Sequence, residues 1–294
     1  MRVALTAVVL IITIFVILMI LLIIESRREL NKIRLTEYVY EGTKVDPSMS
    51  GKSFIFLSDF HEAQNGRLND RIIGLVKETD PAFILIGGDM INGTHENEDI
   101  TPSVSLIDRL SEIAPVYMAS GNHEMKVRDG YYGYKSLWER FYDAIKDKVI
   151  YIDNKTVVPE GFPVKISGLD LDYEYYKRFS DKKLTGGGVK EYLGECDRDM
   201  LNILLAHNPE YFKAYSEWGT DIVLSGHYHG GILRFPGLGG FISPKLRLFP
   251  DYSYGMYKND KSVLYVTCGI GQHTLKLRLN NIPEIVNIRF AEKN

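Results

Sequence analysis

Apolar residues occur along this chain in short runs, and each run is followed by a polar turn. Where successive positions are apolar, the pattern indicates a strand that is buried on both faces of a sheet. Eight runs fit this description, at residues 54–59, 82–89, 116–124, 164–170, 202–209, 221–229, 263–269 and 284–290.

Helical patterns lie between the early strands. In residues 67–80 the apolar positions recur on one face of a helix, which we expect to end before Pro81. The same spacing recurs in residues 101–113 and 134–148. Strands alternate with helices in the N-terminal part of the chain and predominate in the C-terminal part. This order predicts an α/β domain built from layered sheets.

The N-terminal segment has another pattern, because residues 3–24 are apolar apart from two threonines and contain no charge and no proline. As a helix it would span roughly 33 Å, against a hydrocarbon thickness of ~30 Å. We therefore predict a transmembrane anchor (1–25), a connector of mixed charge (26–50) and one main domain (51–294). A cleaved signal peptide is the alternative, but its apolar core would be only ~7–15 residues long and would precede a small-x-small site.

Charges around this segment bear on its orientation. Only Arg2 and the amino terminus precede it, whereas Arg27, Arg28, Lys32 and Arg34 follow it. This bias favours a cytoplasmic C-terminal domain, although long domains can cross a membrane regardless of such charges. The side of the membrane on which the domain lies stays open at this stage.

Composition is ordinary for a globular protein, with 45% hydrophobic and 25% charged residues among 294. A net charge of −3 gives no basic surface of the kind that duplex-binding proteins use, so nucleic acid is not an expected partner. Small anionic substrates stay compatible, since a metal site supplies positive charge of its own. Cys196 and Cys268 could pair or remain free, and nothing in the sequence indicates an oligomeric state.

Six of the predicted strands end in clusters of Asp, His, Asn and Gly. Ligands of open α/β sheets collect at the carboxyl ends of strands, so these side chains are expected to converge at one edge. Any one cluster is as typical of a turn as of a site, but together they hold most of the histidines. Of seven histidines, five lie in the clusters (His61, His123, His207, His227 and His229) and two lie elsewhere (His95 and His273).

The residue types in the clusters indicate a metal site. Carboxylates and imidazoles without cysteine favour Mn, Fe or Zn over a thiolate-bound structural zinc. Two ions ~3.5–4 Å apart, bridged by a carboxylate, can activate water and hold a phosphoryl oxygen. Asp89 follows two glycines and is the candidate bridge.

Five motifs in order carry a resemblance to a known family: Asp59-x-His61, Gly88-Asp89, Gly121-Asn122-His123-Glu124, His207 and Gly226-His227-x-His229. This set resembles the signature of the calcineurin-like metallophosphoesterase superfamily over about residues 52–290. The apolar N-terminus and the closing run from "SPK" to "PEIVNIRF" are most similar to the bacterial subgroup of membrane-associated phosphodiesterases and UDP-2,3-diacylglucosamine pyrophosphatase-like enzymes.

The resemblance implies an α/β four-layer αββα sandwich, preceded here by one transmembrane helix, with two divalent ions (Mn, Fe or Zn). The implied ligands are Asp59, His61 and His229 for the first ion, Asn122, His207 and His227 for the second, and Asp89 as the bridge. His123 would donate a proton or hydrogen bond to the leaving oxygen, and Glu124, where an aspartate is also common in the superfamily, would orient it.

The implied protein is a membrane-anchored phosphoesterase, in which metal-activated hydroxide hydrolyses a phosphodiester or pyrophosphate of a small or lipid-linked substrate. Two alternatives stay open: a phosphoprotein phosphatase, or a non-catalytic metal-binding scaffold on the same fold. Similar Gram-positive-type proteins are often described with the domain outside the cell, which opposes the orientation that the flanking charges favour.

Four further features have two interpretations each. Residues 172–188, rich in Tyr and Lys/Arg, form a lid over the site or a solvated loop. Residues 231–249 form a membrane-facing entrance or a long loop packed on the sheet. Asp170 supports the ligands or ends a strand, and His273 approaches the substrate or is structural.

Overall fold

The computed structural model describes residues 2–61, 66–131, 133–235, 237–259, 261–271 and 277–293. His273, one of the two histidines outside the clusters, lies outside the described residues. The helices are α1 (Arg2–Leu30), α2 (Gly66–Thr79), α3 (Thr101–Ser111), α4 (Asn122–Arg128), α5 (Lys135–Ile145), α6 (Gly186–Leu193) and α7 (Phe212–Trp218).

Fourteen strands are described: β1 (Arg34–Gly42), β2 (Ser53–Leu57), β3 (Ile84–Ile86), β4 (Val116–Met118), β5 (Ile150–Tyr151), β6 (Lys155–Val157), β7 (Val164–Leu169), β8 (Leu201–Ala206), β9 (Ile222–Ser225), β10 (Arg234–Phe235), β11 (Gly239–Gly240), β12 (Gly255–Lys258), β13 (Val263–Val266) and β14 (Glu284–Glu292). One six-stranded sheet has the order β1-β14-β2-β3-β4-β5, and another has the order β12-β13-β9-β8-β7-β6. Strands β10 and β11 form a separate pair.

Alternate residues of β2 show how the layers are built. Phe54 and Phe56 face the second sheet, whereas Ile55 and Leu57 face a core shared with α2, α3 and α5. Helices α6 and α7 cover the other face of the second sheet, where Tyr215 is buried. Because each face of each sheet buries apolar side chains, the predicted αββα sandwich is confirmed.

The predicted elements correspond closely to the observed ones. Each of the eight apolar runs contains a strand, and the three helical patterns are α2, α3 and α5. Strand β1 differs, because it lies within the segment expected to be a connector and pairs with β14 along its whole length. As an edge strand it alternates, from Glu37 onward, exposed positions with half-buried or buried ones, so it lacks the continuous apolar run that indicated the other strands.

The direction of the strands brings the polar clusters together. Strands β2, β3 and β4 are parallel in the first sheet, as are β7, β8, β9 and β13 in the second, so their carboxyl ends share one edge. Strand β14 runs antiparallel to β2, with Val286 opposite Phe56. The beginnings of β14 and of its parallel neighbour β1 therefore lie at the edge that carries the clusters.

Helix α1 is long and apolar enough to cross a membrane, with no part of its most apolar window buried. Its C-terminal end is attached to the domain by two buried side chains. Ser26 accepts a hydrogen bond from the backbone N–H of Arg278 over 2.9 Å. The carboxylate of Glu29 accepts from the backbone N–H groups of Asn280 and Asn281, both over 2.9 Å. The end of the apolar helix is thus part of the folded domain.

Candidate metal centre

Backbone conformation sets the candidate ligands apart from their neighbours. Five of them have left-handed φ values: Asp59 (55°), His61 (45°), Asp89 (55°), His227 (67°) and His229 (47°). A non-glycine residue held in this region costs about 1–3 kcal/mol and persists where the surrounding structure enforces it, most often at functional sites. The turns after β2, β3 and β9 are therefore built around these side chains.

Asp59, His61 and His229 form the first group of converging ligand atoms, which all lie within 4.8 Å of one another. Nε2 of His61 lies 3.1 Å from Nε2 of His229. The same nitrogen of His229 lies 3.3 Å from Oδ1 of Asp59. Two imidazole nitrogens and a carboxylate oxygen directed at one point form a donor set that suits a divalent transition metal.

Asp89, His207 and His227 form the second group, also within 4.8 Å of one another. Nδ1 of His207 lies 2.7 Å from the carbonyl oxygen of Gly87, so Nδ1 carries the proton and Nε2 faces the group. This pairing of a ligating imidazole with a backbone carbonyl is usual at protein metal sites, because it fixes the tautomer and the ring orientation.

Asp89 lies between the two groups. Its Oδ2 atom is 3.0 Å from Nε2 of His207 and 3.8 Å from Nε2 of His61. Asp89 also belongs to a third set of converging atoms, with His61 and His123. One carboxylate therefore faces donors from both groups, which is the geometry that a bridging ligand requires.

Charge is concentrated here in a fully buried space. Burial opposes the protonated form of His207, but the charges of Asp89 and Asp59 outweigh it and raise the pKa of His207 to about 9. Burial, joined by the charge of Asp89, raises the pKa of Asp59 to about 6. Burial also opposes ionisation of Asp89, yet the neighbouring histidines, His207 foremost, hold its pKa well below the ordinary value.

Two buried atoms test whether these residues fit metal ions. Oδ1 of Asn122 and Nε2 of His227 have no hydrogen-bond partner among the described residues, although both side chains are buried. Buried polar atoms are nearly always satisfied, and a bound cation would satisfy both. The donor set, two carboxylates with imidazoles and an amide oxygen, therefore fits two divalent ions.

Two glycines allow the carboxylates to approach the backbone this closely. A Cβ atom at Gly226 would collide with the carboxylate of Asp59, and one at Gly121 would collide with the carboxylate of Asp89. The backbone N–H of His227, next to Gly226, instead donates to Oδ1 of Asp59 over 3.0 Å. The glycines that flank the histidine motifs are thus required by the packing of the ligands.

His123 begins α4 together with Asn122, at the end of β4. Its backbone N–H donates to Oδ1 of Asp89 over 2.8 Å, and its Nδ1 donates to the carbonyl oxygen of Asn92. The ring lies edge-on to that of His61, with centroids 5.0 Å apart. His123 therefore borders the metal centre with its ring held by Asn92.

Glu124 contacts four backbone N–H groups around the metal centre. Its fully buried carboxylate accepts from the backbone N–H groups of Asp89 (2.7 Å), Met90 (2.6 Å), Ile91 (3.2 Å) and Gly121 (3.0 Å). These hydrogen bonds fix the loop that carries Asp89, and the expected role of Glu124 in orienting His123 stays a prediction. Burial and the charge of Asp89 raise the pKa of Glu124 to about 7.

Glu98 is a supporting residue that the sequence did not indicate. This buried carboxylate accepts from the backbone N–H groups of Asn92 (2.7 Å), Gly93 (3.1 Å) and Thr94 (2.8 Å), and so holds the loop whose carbonyl contacts His123. The run of turn-forming residues from Asn92 to Thr94, closed by an acidic residue, is the signal that could have identified it.

Asp170 lies outside the groups of converging ligand atoms. Its Oδ2 accepts from Arg128 over 2.6 Å, and Arg128 also contacts Asp153 over 2.7 Å. Since Arg128 is the last residue of α4, this network holds the helix that presents Asn122 and His123. The structure thus favours the supporting interpretation of Asp170.

The segment 172–188 contributes part of the wall of the site. The ring of Tyr176 packs edge-on to that of His227, with centroids 5.3 Å apart, and both Tyr175 and Tyr176 are buried. Phe179, in contrast, is 85% exposed. The beginning of this segment is therefore packed core, and only its later part is solvated.

Comparisons with known proteins agree with this geometry. The sequence model of the calcineurin-like phosphoesterase family matches residues 52–231. The uncharacterized metallophosphoesterase YkuE of Bacillus subtilis (strain 168) is 25% identical over 273 residues, 90% of this chain and 88% of that protein. Phosphodiesterase YaeI of Escherichia coli (strain K12) is 26% identical over 81% of each chain. A transmembrane protein with metallophosphoesterase domain from Danio rerio is 28% identical over 83% of this chain and 54% of that protein.

Proposed function

Because the chain belongs to the calcineurin-like phosphoesterase family and is a metal-dependent phosphoric ester hydrolase, we propose that it is a membrane-anchored enzyme with two metal ions. It hydrolyses a phosphodiester or pyrophosphate of a small or lipid-linked substrate. The name of the Escherichia coli relative, a phosphodiesterase, supports a diester over a monoester.

The position of Asp89 between two groups of donors is the observation that carries this proposal. Asp59, His61 and His229 would hold one ion, and Asn122, His207 and His227 the other, with Asp89 bridging them. Bound there, two divalent ions lower the pKa of water and offset negative charge on phosphoryl oxygens. The ions are Mn, Fe or Zn, which nitrogen and oxygen donors without thiolates suit.

His123 is the residue that we assign to the leaving group. A backbone carbonyl only accepts, so the contact with Asn92 keeps a proton on Nδ1, and any proton that His123 transfers comes from Nε2. Glu124 holds the Asp89 loop through backbone N–H groups, and Glu98 holds the Asn92 loop in the same way. These carboxylates fix the distance between the bridge and the acid.

The location of the site supports a substrate at the membrane. Helix α1 would cross the bilayer once, and β1, which follows it, begins at the sheet edge that carries the ligands. The Danio rerio relative is named as a transmembrane protein. An enzyme anchored in this way meets substrates whose phosphoester lies at the lipid surface, as well as small soluble ones.

A metal analysis combined with a substrate panel tests the function. The full chain in detergent would be analysed for Mn, Fe and Zn, then assayed with an aryl phosphodiester, a nucleoside diphosphate ester, an aryl monoester and a phosphopeptide. We expect two ions per chain and preferential hydrolysis of the first two substrates. Preference for the phosphopeptide would establish a phosphoprotein phosphatase instead, and two ions without any hydrolysis would establish a metal-binding scaffold.

A further inference from the structure

The segment 233–249, which we name the apolar loop, exposes large apolar side chains. Among its described residues Leu238 is 67% exposed, Leu248 61%, Leu246 50%, Phe249 47% and Phe235 44%. Patches of this kind are uncommon on soluble surfaces and mark sites of contact with membranes or proteins. The loop is therefore an interaction surface that the metal centre does not explain.

Three aromatic rings of the apolar loop are packed against one another. Phe241 contacts Phe235 and Phe249 with centroid distances of 5.8 and 5.7 Å. The backbone N–H of Phe249 also donates to the carbonyl oxygen of Phe241 over 2.9 Å. These contacts order the loop. A surface that is already ordered can bind a partner without the entropic cost of folding first.

The apolar loop and the end of α1 are attached to the same short segment. The backbone N–H of Arg234 donates to the carbonyl oxygen of Leu279 over 3.0 Å, and Nε of Arg234 donates to the carbonyl oxygen of Asn280 over 2.6 Å. The carboxylate of Glu29, the last residue but one of α1, accepts from the backbone N–H of Asn280. The exposed loop therefore adjoins the point at which the apolar helix enters the domain.

Basic residues border this face. Arg27 and Arg28 are exposed at the end of α1, and Arg247 is exposed within the apolar loop. Arg28 also pairs with Glu25 over 2.6 Å, and Arg247 pairs with Glu210 over 2.8 Å. Arg27 is therefore the one of these three cations without an acidic partner among the described residues. Cations that border apolar and aromatic side chains are typical of the interface between the lipid headgroups and the acyl chains. Binding of a soluble protein would not require the apolar loop to adjoin a membrane-spanning helix. The observations therefore favour a lipid bilayer as the partner of this surface.

We propose that the apolar loop inserts into the headgroup region of the bilayer that α1 spans, as a second membrane contact. This inference rests on the proposed anchor and goes beyond the proposed reaction. The side chain of Asn281, in the segment that joins loop and helix, donates to the carbonyl oxygen of His229 over 2.7 Å. Two membrane contacts around this segment would hold the ligand-bearing edge at a fixed height above the lipid.

Depth-dependent quenching tests the proposal on the full chain in vesicles of phosphatidylcholine and phosphatidylglycerol. A fluorophore is placed at Leu238→Cys, with Ile150→Cys as the control, because Ile150 is an equally apolar exposed residue on β5, at the opposite end of the first sheet from β1. A third label, at Leu22→Cys in α1, reports whether the anchor is inserted. We expect lipids brominated on the acyl chains to quench the labels at 22 and 238 but not the label at 150.

Each other outcome overturns the inference. Quenching at 22 alone would show that the anchor spans the bilayer while the apolar loop stays in water. No quenching at any position would show that α1 is not inserted in the bilayer, and the inference depends on that insertion. The label at 238 could instead become shielded from water only at high protein concentration, with no quenching by brominated lipid. That result would assign the surface to a second copy of the chain.

Activity separates this inference from the proposed function. The double variant Leu238→Ser/Leu248→Ser changes exposed side chains that are not among the candidate ligands, so hydrolysis of a soluble aryl phosphodiester should equal that of the parent protein. Quenching of a label at Phe235→Cys should fall in the same variant. Loss of quenching with retained hydrolysis supports insertion of the apolar loop into the bilayer, whereas retained quenching overturns it. Absence of hydrolysis in the parent protein contradicts the proposed function alone.

Discussion

Nε2 of His207 lies 3.0 Å from Oδ2 of Asp89, while Nδ1 of the same ring is held 2.7 Å from the carbonyl oxygen of Gly87. Without metal, the ring can bind a second proton at Nε2 and neutralise part of the charge of Asp89. With metal, the same nitrogen must be deprotonated to act as a ligand. As a proposed metal ligand, His207 would couple the protonation of the site to its metal content.

This coupling predicts how pH affects the metal-free protein. The pKa of His207 is raised from 6.5 to about 9, so its charged form contributes stability that is complete below pH 6.5 and is lost as the pH rises through 9. After chelation, we expect the melting temperature to be lower at pH 9 than at pH 6.5 by roughly a few degrees. Thermal unfolding followed by circular dichroism measures this difference.

The His207→Gln protein is the control for this pH effect. Its melting temperature after chelation should change much less over the same interval, because glutamine does not titrate. An equal decrease in both proteins would assign the effect to other groups and contradict the coupling.

Replacement of the proposed bridge should remove metal. Asp89→Asn preserves the shape of the side chain and an oxygen that can accept from the N–H of His123, but it removes the charge that two cations would share. We expect less than the full two ions per chain and turnover near background, measured by elemental analysis and diester hydrolysis. The exposed residue Asp70 on α2 provides the matched control, Asp70→Asn. Full metal content together with full turnover in Asp89→Asn would refute the bridging role.

Loss of the proposed acid should lower the rate and leave the ions bound. His123→Asn removes the ring that borders the centre, and general acid catalysis typically contributes about 10²–10⁴ in rate. The loss should be greatest for aryl diesters with poor leaving groups, since these need the proton most. The exposed residue His95 provides the control variant, His95→Asn. A loss of the same size for all leaving groups would argue that His123 has a positioning role only.

Glu124→Gln should weaken both the fold and the metal centre. The carboxylate accepts hydrogen bonds from four backbone N–H groups. In glutamine an amide NH₂ replaces one of the oxygens, so a hydrogen-bond donor would lie against backbone donors. A buried group left unsatisfied costs about 1–3 kcal/mol of stability. Loss of support for a ligand typically lowers metal affinity by about 10–100-fold. Urea unfolding and metal titration measure the two effects, with Glu139→Gln, on the exposed side of α5, as the control.

The cysteines should be slow to react. Both Cys196 and Cys268 are free thiols, and burial raises the pKa of Cys196 to about 11 and that of Cys268 to about 12. At neutral pH we expect little modification by a thiol reagent in the native protein and two modified thiols after denaturation, counted by mass spectrometry. Rapid reaction of native Cys268 would show that its surroundings open readily.

The sequence predicts the parts of this molecule in which local pattern and chemistry coincide. Continuous apolar runs identified eight strands, and the polar clusters after them contain the residues that the structure brings together at one edge. That agreement arises because parallel strands place their carboxyl ends side by side. The clusters could therefore be located in space from the order of strands and turns alone.

Residues that act through distant backbone groups could not be found in this way. Glu29 and Ser26 bind a segment about 250 positions later in the chain, and Asn281 supports His229 from 52 positions away. Glu124 was recognised by its motif, but the motif does not reveal that its carboxylate accepts from three backbone N–H groups in the loop after β3. Contacts of this kind leave no periodic signal, since their partners are backbone atoms that every residue has.

The left-handed backbone at five of the candidate ligands has a consequence for engineering. At about 1–3 kcal/mol each, these conformations lower the free energy of unfolding, and glycine would adopt all five without strain. At Asp59 and Asp89 a glycine would also leave the backbone N–H groups of His227 and His123 without an acceptor, which offsets the gain. A library of variants selected for heat resistance alone in the presence of a chelator should therefore accumulate glycines at the three histidine positions and lose the metal centre. Selection for heat resistance with metal supplied should retain the histidines and aspartates, because ion binding then outweighs the conformational cost.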